Sequence, residues 1–236
     1  MTEIKIFYKR NLPHYQPPGY MFFVTFRLAD SLPVQSIIAL KEESQKVLKE
    51  IAGYDNIEVR KEKYKIYQSM YFGKFDKLLD SSSYGPKWLK EEKVADIVKE
   101  IIHYNDNKTY SLICYSIMPN HVHLVFTPVD RSEASINSKT SNEASINSKI
   151  SNEASASFYI VTKILQDIKS KTALRGNKIL NRSGAFWQHE SYDHVVRDEK
   201  ELKRIVEYVL NNPVKAGLCE KREEWKWNYC DFEKLT

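Results

Sequence analysis

The stretch TYSLICYSIMPNHVHLVFTPV, residues 109–129, carries the strongest hairpin signal in the sequence. Two runs rich in β-branched and aromatic residues flank a short connection at 118–120, a pattern that predicts two antiparallel strands. Alternate residues of a strand share a face, so His121 and His123 point one way while the neighbouring apolar residues point the other way, into the core. The hairpin therefore predicts a sheet with two imidazoles on its open face.

The segments around the hairpin predict the other parts of the fold. Residues 21–28, MFFVTFRL, read as a strand, and 33–51 has apolar residues at helical spacing. The region 54–106 contains two predicted helices, and we interpret it as a helical insertion. After the hairpin come a helix at about 158–172, a strand at 186–197 and a helix that begins at Asp198. This order predicts an α+β fold, a ferredoxin-like or RRM-like antiparallel sheet with helices on one face.

Residues 131–157 differ in composition from the rest of the chain. Ala134, Ala144 and Ala154 recur every ten residues in SEASINSKTSNEASINSKISNEASAS, and small polar and charged residues fill the gaps. Such a segment has too little apolar surface to offset the entropy lost on ordering. We therefore predict a flexible, low-complexity linker at 131–157, within a single domain that spans residues 1–236.

Composition limits the class of protein. Lys and Arg number 36 against 31 Asp and Glu, a net charge of +5 that suits a polyanionic partner. Cys114, Cys219 and Cys230 show no CxxC spacing, which argues against a disulfide framework or a zinc ribbon and fits a reducing compartment. No apolar run approaches the roughly 20 residues of a membrane helix, and the N-terminus lacks an apolar signal core. We expect a cytoplasmic protein without a membrane partner.

The segment RDEKELKRIVEYVLNNPVKAGL predicts a well-defined amphipathic helix. Asp198 stands three residues before Glu201, a spacing like that of a capping box, and apolar residues follow at helical intervals. Tyr208 and Asn212 lie together on one edge, with Glu201 two turns back. Helix geometry alone also allows an ordinary core-edge tyrosine and an asparagine that caps the helix before Pro213. The histidine pair is similarly open to two interpretations, a divalent-cation site or two surface histidines.

Together, PNHVHLVF and the downstream FWQHESYDHVVRDEKELKRIVEYVLNNPVKAGL resemble the single-tyrosine HUH transposases, most closely the REP-associated tyrosine transposases. The resemblance covers the hairpin, the segment at about 184–218 and the opening RNLPHYQPPGYMFFVTFRLADSLP. It implies the HUH endonuclease fold, with His121 and His123 as metal ligands, Tyr208 as the nucleophile and Asn212 as the third ligand. A glutamine holds that last position in related insertion-sequence enzymes, and the helical insertion and the linker have no role that the family explains.

The implied chemistry is cleavage and rejoining of single-stranded DNA near a palindromic hairpin. A divalent cation, Mg²⁺ or Mn²⁺, would neutralise charge that develops on the attacked phosphate. An ordinary tyrosine, with a pKa of about 10, is a poor nucleophile, so Tyr208 would need the metal or a nearby base, for which Glu201, His194 and Glu190 are candidates. Attack would leave a 5'-phosphotyrosine and a free 3'-hydroxyl. Tyr192 is the rival nucleophile.

Basic and aromatic residues alternate in VRKEKYKIYQSMYFGKFDK, a mixture that can follow a single-strand backbone while stacking its bases. An ordinary amphipathic helix shows the same pattern. The candidate DNA-binding residues, two of them outside this stretch, are Arg60, Lys63, Lys65, Tyr67, Lys74, Lys169 and Arg197. The aromatic tail EEWKWNYCDF is expected to pack on the body as a strand or cap.

Two other functions fit the same residues. One is an RRM-like nucleic-acid-binding protein without catalysis, and the other is a metallohydrolase whose histidine pair activates water. With one nucleophile per chain, two cleavages would require a homodimer or successive turnovers of a monomer. The residues alone leave these alternatives open.

Overall fold

The computed structural model describes residues 7–9, 13–15, 19–81, 83–129 and 160–235. The strands in this part of the chain are β1 (Phe7–Lys9), β2 (Pro13–Tyr15), β3 (Met21–Leu28), β4 (Tyr110–Ile117), β5 (His121–Pro128), β6 (Trp187–Val196) and β7 (Asn228–Cys230). The helices are α1 (Val34–Ala52), α2 (Ile57–Ser81), α3 (Glu92–Asn105), α4 (Ile160–Ile179) and α5 (Glu199–Lys215), with short 3₁₀ turns at Trp88–Lys90, Arg222–Glu224 and Phe232–Leu235. The predicted linker at 131–157 lies outside the described residues.

The main sheet has five antiparallel strands in the order β6-β3-β5-β4-β7, and β1 pairs with β2 separately. The hairpin register places Ile117 opposite Val122, so β4 and β5 are joined by the predicted connection at 118–120. Strand β7 pairs with β4, with Tyr229 opposite Tyr115, which confirms that the tail packs as a strand. The α+β class and the antiparallel sheet are confirmed, and β5 is the central strand.

One face of the sheet carries the main core. Helices α3 and α4 pack on it, and the apolar side chains of β3 and β5 that point to this face are fully buried, among them Phe22 and Phe126. Val98 and Ile102 of α3 are 0% exposed. The region 54–106 is therefore divided, because α3 belongs to the main core whereas α2 packs along α1 and reaches the other side of the sheet.

The opposite face, expected to be open, is covered as well. Phe23 and Val125 on this face pack with Val206 and Val209 of α5, and Phe72 of α2 contacts the same cluster. Strand β3 is buried on both faces, which explains why MFFVTFRL is nearly continuous in apolar residues instead of alternating with polar ones. The second layer forms because the strands and α5 each present apolar surface that must be buried. Consequently, the two histidines lie inside the protein.

Helix α4 continues seven residues beyond its predicted end at 172. Its last turns face β6, where the Trp187 indole donates a hydrogen bond to Thr172 Oγ1 at 2.7 Å. Gly176 packs directly against the buried ring of Phe186, and a Cβ at position 176 would lie 2.7 Å from Cε2 of that ring. Tertiary contacts with residues that follow α4 in the sequence thus stabilise its C-terminal end.

We expect Gly176→Ala to destabilise the protein by about 1–3 kcal/mol, as is typical of overpacking in a core that cannot relax. Gly73→Ala is the matched control, because an added Cβ at that exposed position of α2 meets nothing within 4 Å. Removal of a helix-interior glycine should stabilise by about 0.5–1 kcal/mol. Urea denaturation of both variants measures the difference, and equal effects would contradict the assigned packing.

Within the described residues, none of the helices has the length and apolar character required to cross a membrane.

Candidate metal and nucleophile site

The histidine pair lies at the centre of the sheet. His121 and His123 are both 0% exposed, and their Nε2 atoms face each other at 3.0 Å. The other ring nitrogens are held in place, since His121 Nδ1 donates to Asn120 Oδ1 at 2.7 Å and His123 Nδ1 lies 2.8 Å from Thr25 Oγ1. Such outer hydrogen bonds fix the orientation of imidazoles that bind metals. Both Nε2 atoms are thereby directed to one point.

Helix α5 brings Tyr208 and Asn212 to this point. Its start is the predicted cap, in which Asp198 Oδ1 accepts from the Glu201 backbone amide at 2.7 Å. Its end differs from the cap interpretation, because the helix continues through Pro213 to Lys215 and the Asn212 side chain is fully buried. Asn212 Nδ2 donates to the Tyr208 hydroxyl at 3.2 Å. The Tyr208 ring centre lies 5.6 Å from that of His123.

A carboxylate that the sequence interpretation missed completes the site. Asp76 of α2 is buried, and its Oδ1 lies 3.2 Å from His123 Nε2. Its Oδ2 accepts a hydrogen bond from the Tyr208 hydroxyl and lies 3.4 Å from Asn212 Nδ2. Asp80, one turn further along α2, has its Oδ1 3.9 Å from His121 Nε2. The sequence contains little signal for this pair, because Glu58 and Glu62 of the same helix have the same spacing of four.

These groups fit a divalent cation. One ligand atom from each of Asp76, His121 and His123 lies within 4.8 Å of the others. The Oδ1 atoms of Asp76, Asp80 and Asn212 are buried without a hydrogen-bond partner among the described residues, an arrangement that is costly without a cation. Imidazole nitrogens combined with carboxylate and amide oxygens are suitable ligands for metals such as Mn²⁺, and oxygen ligands suit Mg²⁺. The residues therefore support a site for a divalent metal.

The two carboxylates of the site have different pKa values. Burial favours a higher pKa for Asp76, but the nearby histidines and the Tyr208 hydroxyl outweigh it and hold this pKa at about 2. Burial and the charge of Asp76 raise the pKa of Asp80 to about 7. Burial, followed by the two carboxylates, raises the pKa of the Tyr208 phenol well above its ordinary range. Without a cation, the phenol is thus held protonated and oriented towards Asp76.

Aromatic side chains enclose the site. The Phe72 ring centre lies 5.7 Å from that of Tyr208 and 6.4 Å from that of His123, and Phe23 lies 6.2 Å from Tyr208. Because Phe72 and Asp76 both belong to α2, this helix covers the histidine pair in the structure.

The rival nucleophile and the predicted bases lie elsewhere. Tyr192 is on β6 opposite Thr25, separated from β5 by one strand, and its ring packs on Phe72 at 4.6 Å. His194 Nε2 donates a hydrogen bond to Glu201 Oε1 at 3.0 Å. Glu190 lines two cavities beside β6. Asp76 accepts the hydrogen bond of the Tyr208 hydroxyl and is therefore the better placed acceptor.

The candidate DNA-binding residues are dispersed. Five of them lie on α2, where the Arg60 guanidinium bonds the Tyr54 carbonyl at 2.6 Å, Tyr67 bonds Ser44 and Lys74 pairs with Glu43. Lys63 and Lys65 complete this set, with Lys63 at a cavity between α1 and α2. Lys169 of α4 bonds β6, and Arg197 Nη1 lies 3.8 Å from Glu201. Their assignment to DNA stays a prediction.

The sequence is similar to proteins that are already known. No family model matches the sequence. A Haemophilus influenzae protein provisionally named REP-associated tyrosine transposase is 22% identical over 121 residues, or 50% of this chain and 58% of the relative. The chain thus spans little more than half the length of that relative. A second, uncharacterized protein from Haemophilus influenzae is 29% identical over 143 residues, covering 53% of this chain and 74% of its own length.

A solved structure titled as a REP-associated tyrosine transposase bound to a REP hairpin also matches. It has 14% identity and a TM-score of 0.47, over 97% of this chain and 82% of that chain.

The fold and the site define an α+β protein with a buried histidine pair on the central strand of an antiparallel sheet. The Haemophilus influenzae relative makes the chain similar to a REP-associated tyrosine transposase, the family that its motifs resemble.

Proposed function

We propose that this protein is a metal-dependent endonuclease and strand transferase that acts on single-stranded DNA beside hairpin-forming palindromes. The observation that supports this proposal most strongly is the convergence of Tyr208, Asn212 and the histidine pair, which are distant in sequence, on one buried point. The sequence similarity to a transposase of this kind agrees with it.

In this proposal, His121, His123 and Asp76 hold a divalent cation, and Asn212 supplies a further oxygen. The cation would neutralise charge that develops on the scissile phosphate. Asp76 orients the Tyr208 hydroxyl through Oδ2 and is placed to receive its proton. The tyrosine oxygen bonds to phosphorus, the bond from phosphorus to the 3'-oxygen breaks, and that oxygen takes up the proton that Asp76 received and leaves as a 3'-hydroxyl. The 5'-phosphotyrosine retains the bond energy for rejoining.

Access to the site requires α2 to open and then to close again over the bound DNA, because the histidines are fully buried beneath Phe72 and Asp76. We propose that single-stranded DNA enters between α2 and the sheet. A helix that covers the reacting groups also excludes water, which favours transfer to DNA over hydrolysis.

The experiment is incubation of the whole chain with end-labelled, hairpin-bearing single-stranded DNA and Mn²⁺, followed by a denaturing gel. The expected result is a labelled band at the mass of protein plus DNA that depends on Mn²⁺ and is lost with EDTA. Cleavage without such a band would indicate a metallohydrolase, and a native gel shift without cleavage would indicate a binding protein. Either result would overturn the proposal.

A further inference from the structure

Arg27 of β3 is a buried cation that has no counter-ion among the described residues. Its residue is 6% exposed, and no carboxylate in the described residues lies within 4.0 Å of its guanidinium. Its hydrogen bonds there come from Nη1 alone, to Ser31 Oγ at 3.1 Å and to the Leu28 carbonyl at 3.4 Å. A guanidinium has five N–H donors, so most of them lack an acceptor. An unpaired buried charge is costly, and an anionic ligand would offset that cost.

Arg27 lies next to the proposed metal site. In the pairing of β3 with β5, Arg27 stands directly opposite His121, and Thr25 stands opposite His123. Directly opposite residues of antiparallel strands share a face, with Cβ atoms about 5 Å apart. Arg27 therefore lies on the face of the sheet that carries the histidine pair, directly beside His121.

A cavity of about 100 Å³ adjoins the guanidinium. Its lining includes Arg27, Thr25, Tyr71 and, at the rim, the exposed Lys41. The Thr25 hydroxyl also contacts His123 Nδ1, so the cavity and the candidate metal site share a wall. A water molecule occupies about 30 Å³, so the cavity has room for a group of a few heavy atoms. That volume suits one phosphate group and is too small for a nucleoside.

One carboxylate, that of Glu190, lies in the same lining, and the charge of Asp30 favours a higher pKa for Arg27 but does not outweigh the effect of burial. Asp30 is exposed, and neither forms an ion pair with Arg27 within the described residues. The positive charge at the cavity wall is therefore available to a ligand.

We propose that Arg27 binds a backbone phosphodiester of the single-stranded DNA, next to the phosphate that is cleaved. The inference rests on the proposed function, because the source of the anion is the DNA strand. The planar guanidinium can hold two phosphate oxygens at once and would fix the strand's register relative to Tyr208.

The test combines Arg27→Met with DNA in which one linkage at a time is an uncharged methylphosphonate. In wild-type protein, neutralising one linkage near the cleavage point should weaken binding about 10- to 100-fold. Arg27→Met should weaken binding of unmodified DNA by a similar factor, and neutralising that linkage should then have no further effect. The slope of log affinity against log salt should fall by about 0.7, the value for one single-strand phosphate.

Two controls separate a ligand-binding arginine from a structural one. Arg204→Met removes an exposed arginine of α5 and should change affinity less than about twofold. The thermal midpoint of Arg27→Met should equal or exceed that of wild type, since an unpaired buried charge is removed. Arg27→Lys, measured in parallel, keeps the charge and should lose only part of the affinity.

Additive effects of Arg27→Met and the neutral linkage, or a lower thermal midpoint with unchanged DNA affinity, would overturn the inference. Failure of the proposed function gives a different result. In that case wild-type protein forms no adduct, and it binds unmodified DNA no more tightly than Arg27→Met does. Protection of wild type, but not Arg27→Met, against thermal unfolding by inorganic phosphate would then still support an anion site at Arg27.

Discussion

Tyr208→Phe is expected to abolish the covalent protein–DNA adduct, with a loss of about 10³-fold or more, as for removal of other enzymatic nucleophiles. Phenylalanine preserves the ring that packs on Phe23 and Phe72 but lacks the oxygen that would bond to phosphorus. The measurement is the labelled band on a denaturing gel with hairpin-bearing DNA and Mn²⁺. A native gel shift should be nearly unchanged, because binding does not require the hydroxyl.

Tyr192→Phe is the matched control for this prediction. Tyr192 packs on the same Phe72 ring, yet it stands on β6 and has no recorded contact with the histidine pair. The adduct should therefore form at a rate within a few-fold of wild type. A variant at position 208 that still forms the adduct, together with a variant at 192 that does not, would reassign the nucleophile.

Stability must be measured beside activity for the variant at 208. The Tyr208 hydroxyl donates to Asp76, so its removal leaves a buried carboxylate oxygen with a weaker set of partners. Such a loss typically costs about 1–3 kcal/mol. A folded protein at the assay temperature, verified by circular dichroism, excludes unfolding as the cause of a missing adduct.

Local pattern was sufficient for most of the architecture. The β4–β5 hairpin follows from two β-rich runs around a short turn, and β3 matches its predicted bounds at 21–28. The start of α5 follows from a cap whose hydrogen bond, from Glu201 N to Asp198, involves residues three apart. These features depend on neighbours in the sequence, which is why periodicity and capping rules find them.

Features that depend on distant residues were not predictable in the same way. The faces of β5 were assigned correctly, but nothing in PNHVHLVF indicates that α2 and α5 cover the histidines. Asp76 is separated from His123 by 47 positions, and its side chain would suit an ordinary surface helix. A long-range contact of this kind leaves no periodic signal, so the hydrogen-bond partner of Tyr208 is seen only in the folded chain.

Asp76→Asn is expected to lower the affinity for Mn²⁺ by about 100-fold or more. The amide keeps the shape of the carboxylate but removes the negative charge nearest to His123 Nε2. Loss of even an outer partner of a metal ligand typically costs about 10–100-fold, and Asp76 would contact the metal directly. Binding is measured by isothermal titration calorimetry with MnCl₂ and by the loss of the electron paramagnetic resonance signal of free Mn²⁺. Neither measurement requires DNA or turnover.

Asp80→Asn tests whether Asp76 binds the metal directly or acts only through its negative charge. Asp80 lies one turn from Asp76 on the same helix, but its Oδ1 is further from the nearest histidine nitrogen, at 3.9 Å against 3.2 Å. Its pKa, raised to about 7, also leaves it only partly charged at neutral pH. We therefore expect Asp80→Asn to lower the affinity for Mn²⁺ by less than about tenfold, which corresponds to less than about 1.4 kcal/mol of binding free energy. Equal losses in the two variants would show that α2 contributes only the negative charge of its acidic residues. Wild-type affinity in Asp76→Asn would exclude that carboxylate as a ligand, and the metal would then be held by the histidines and Asn212.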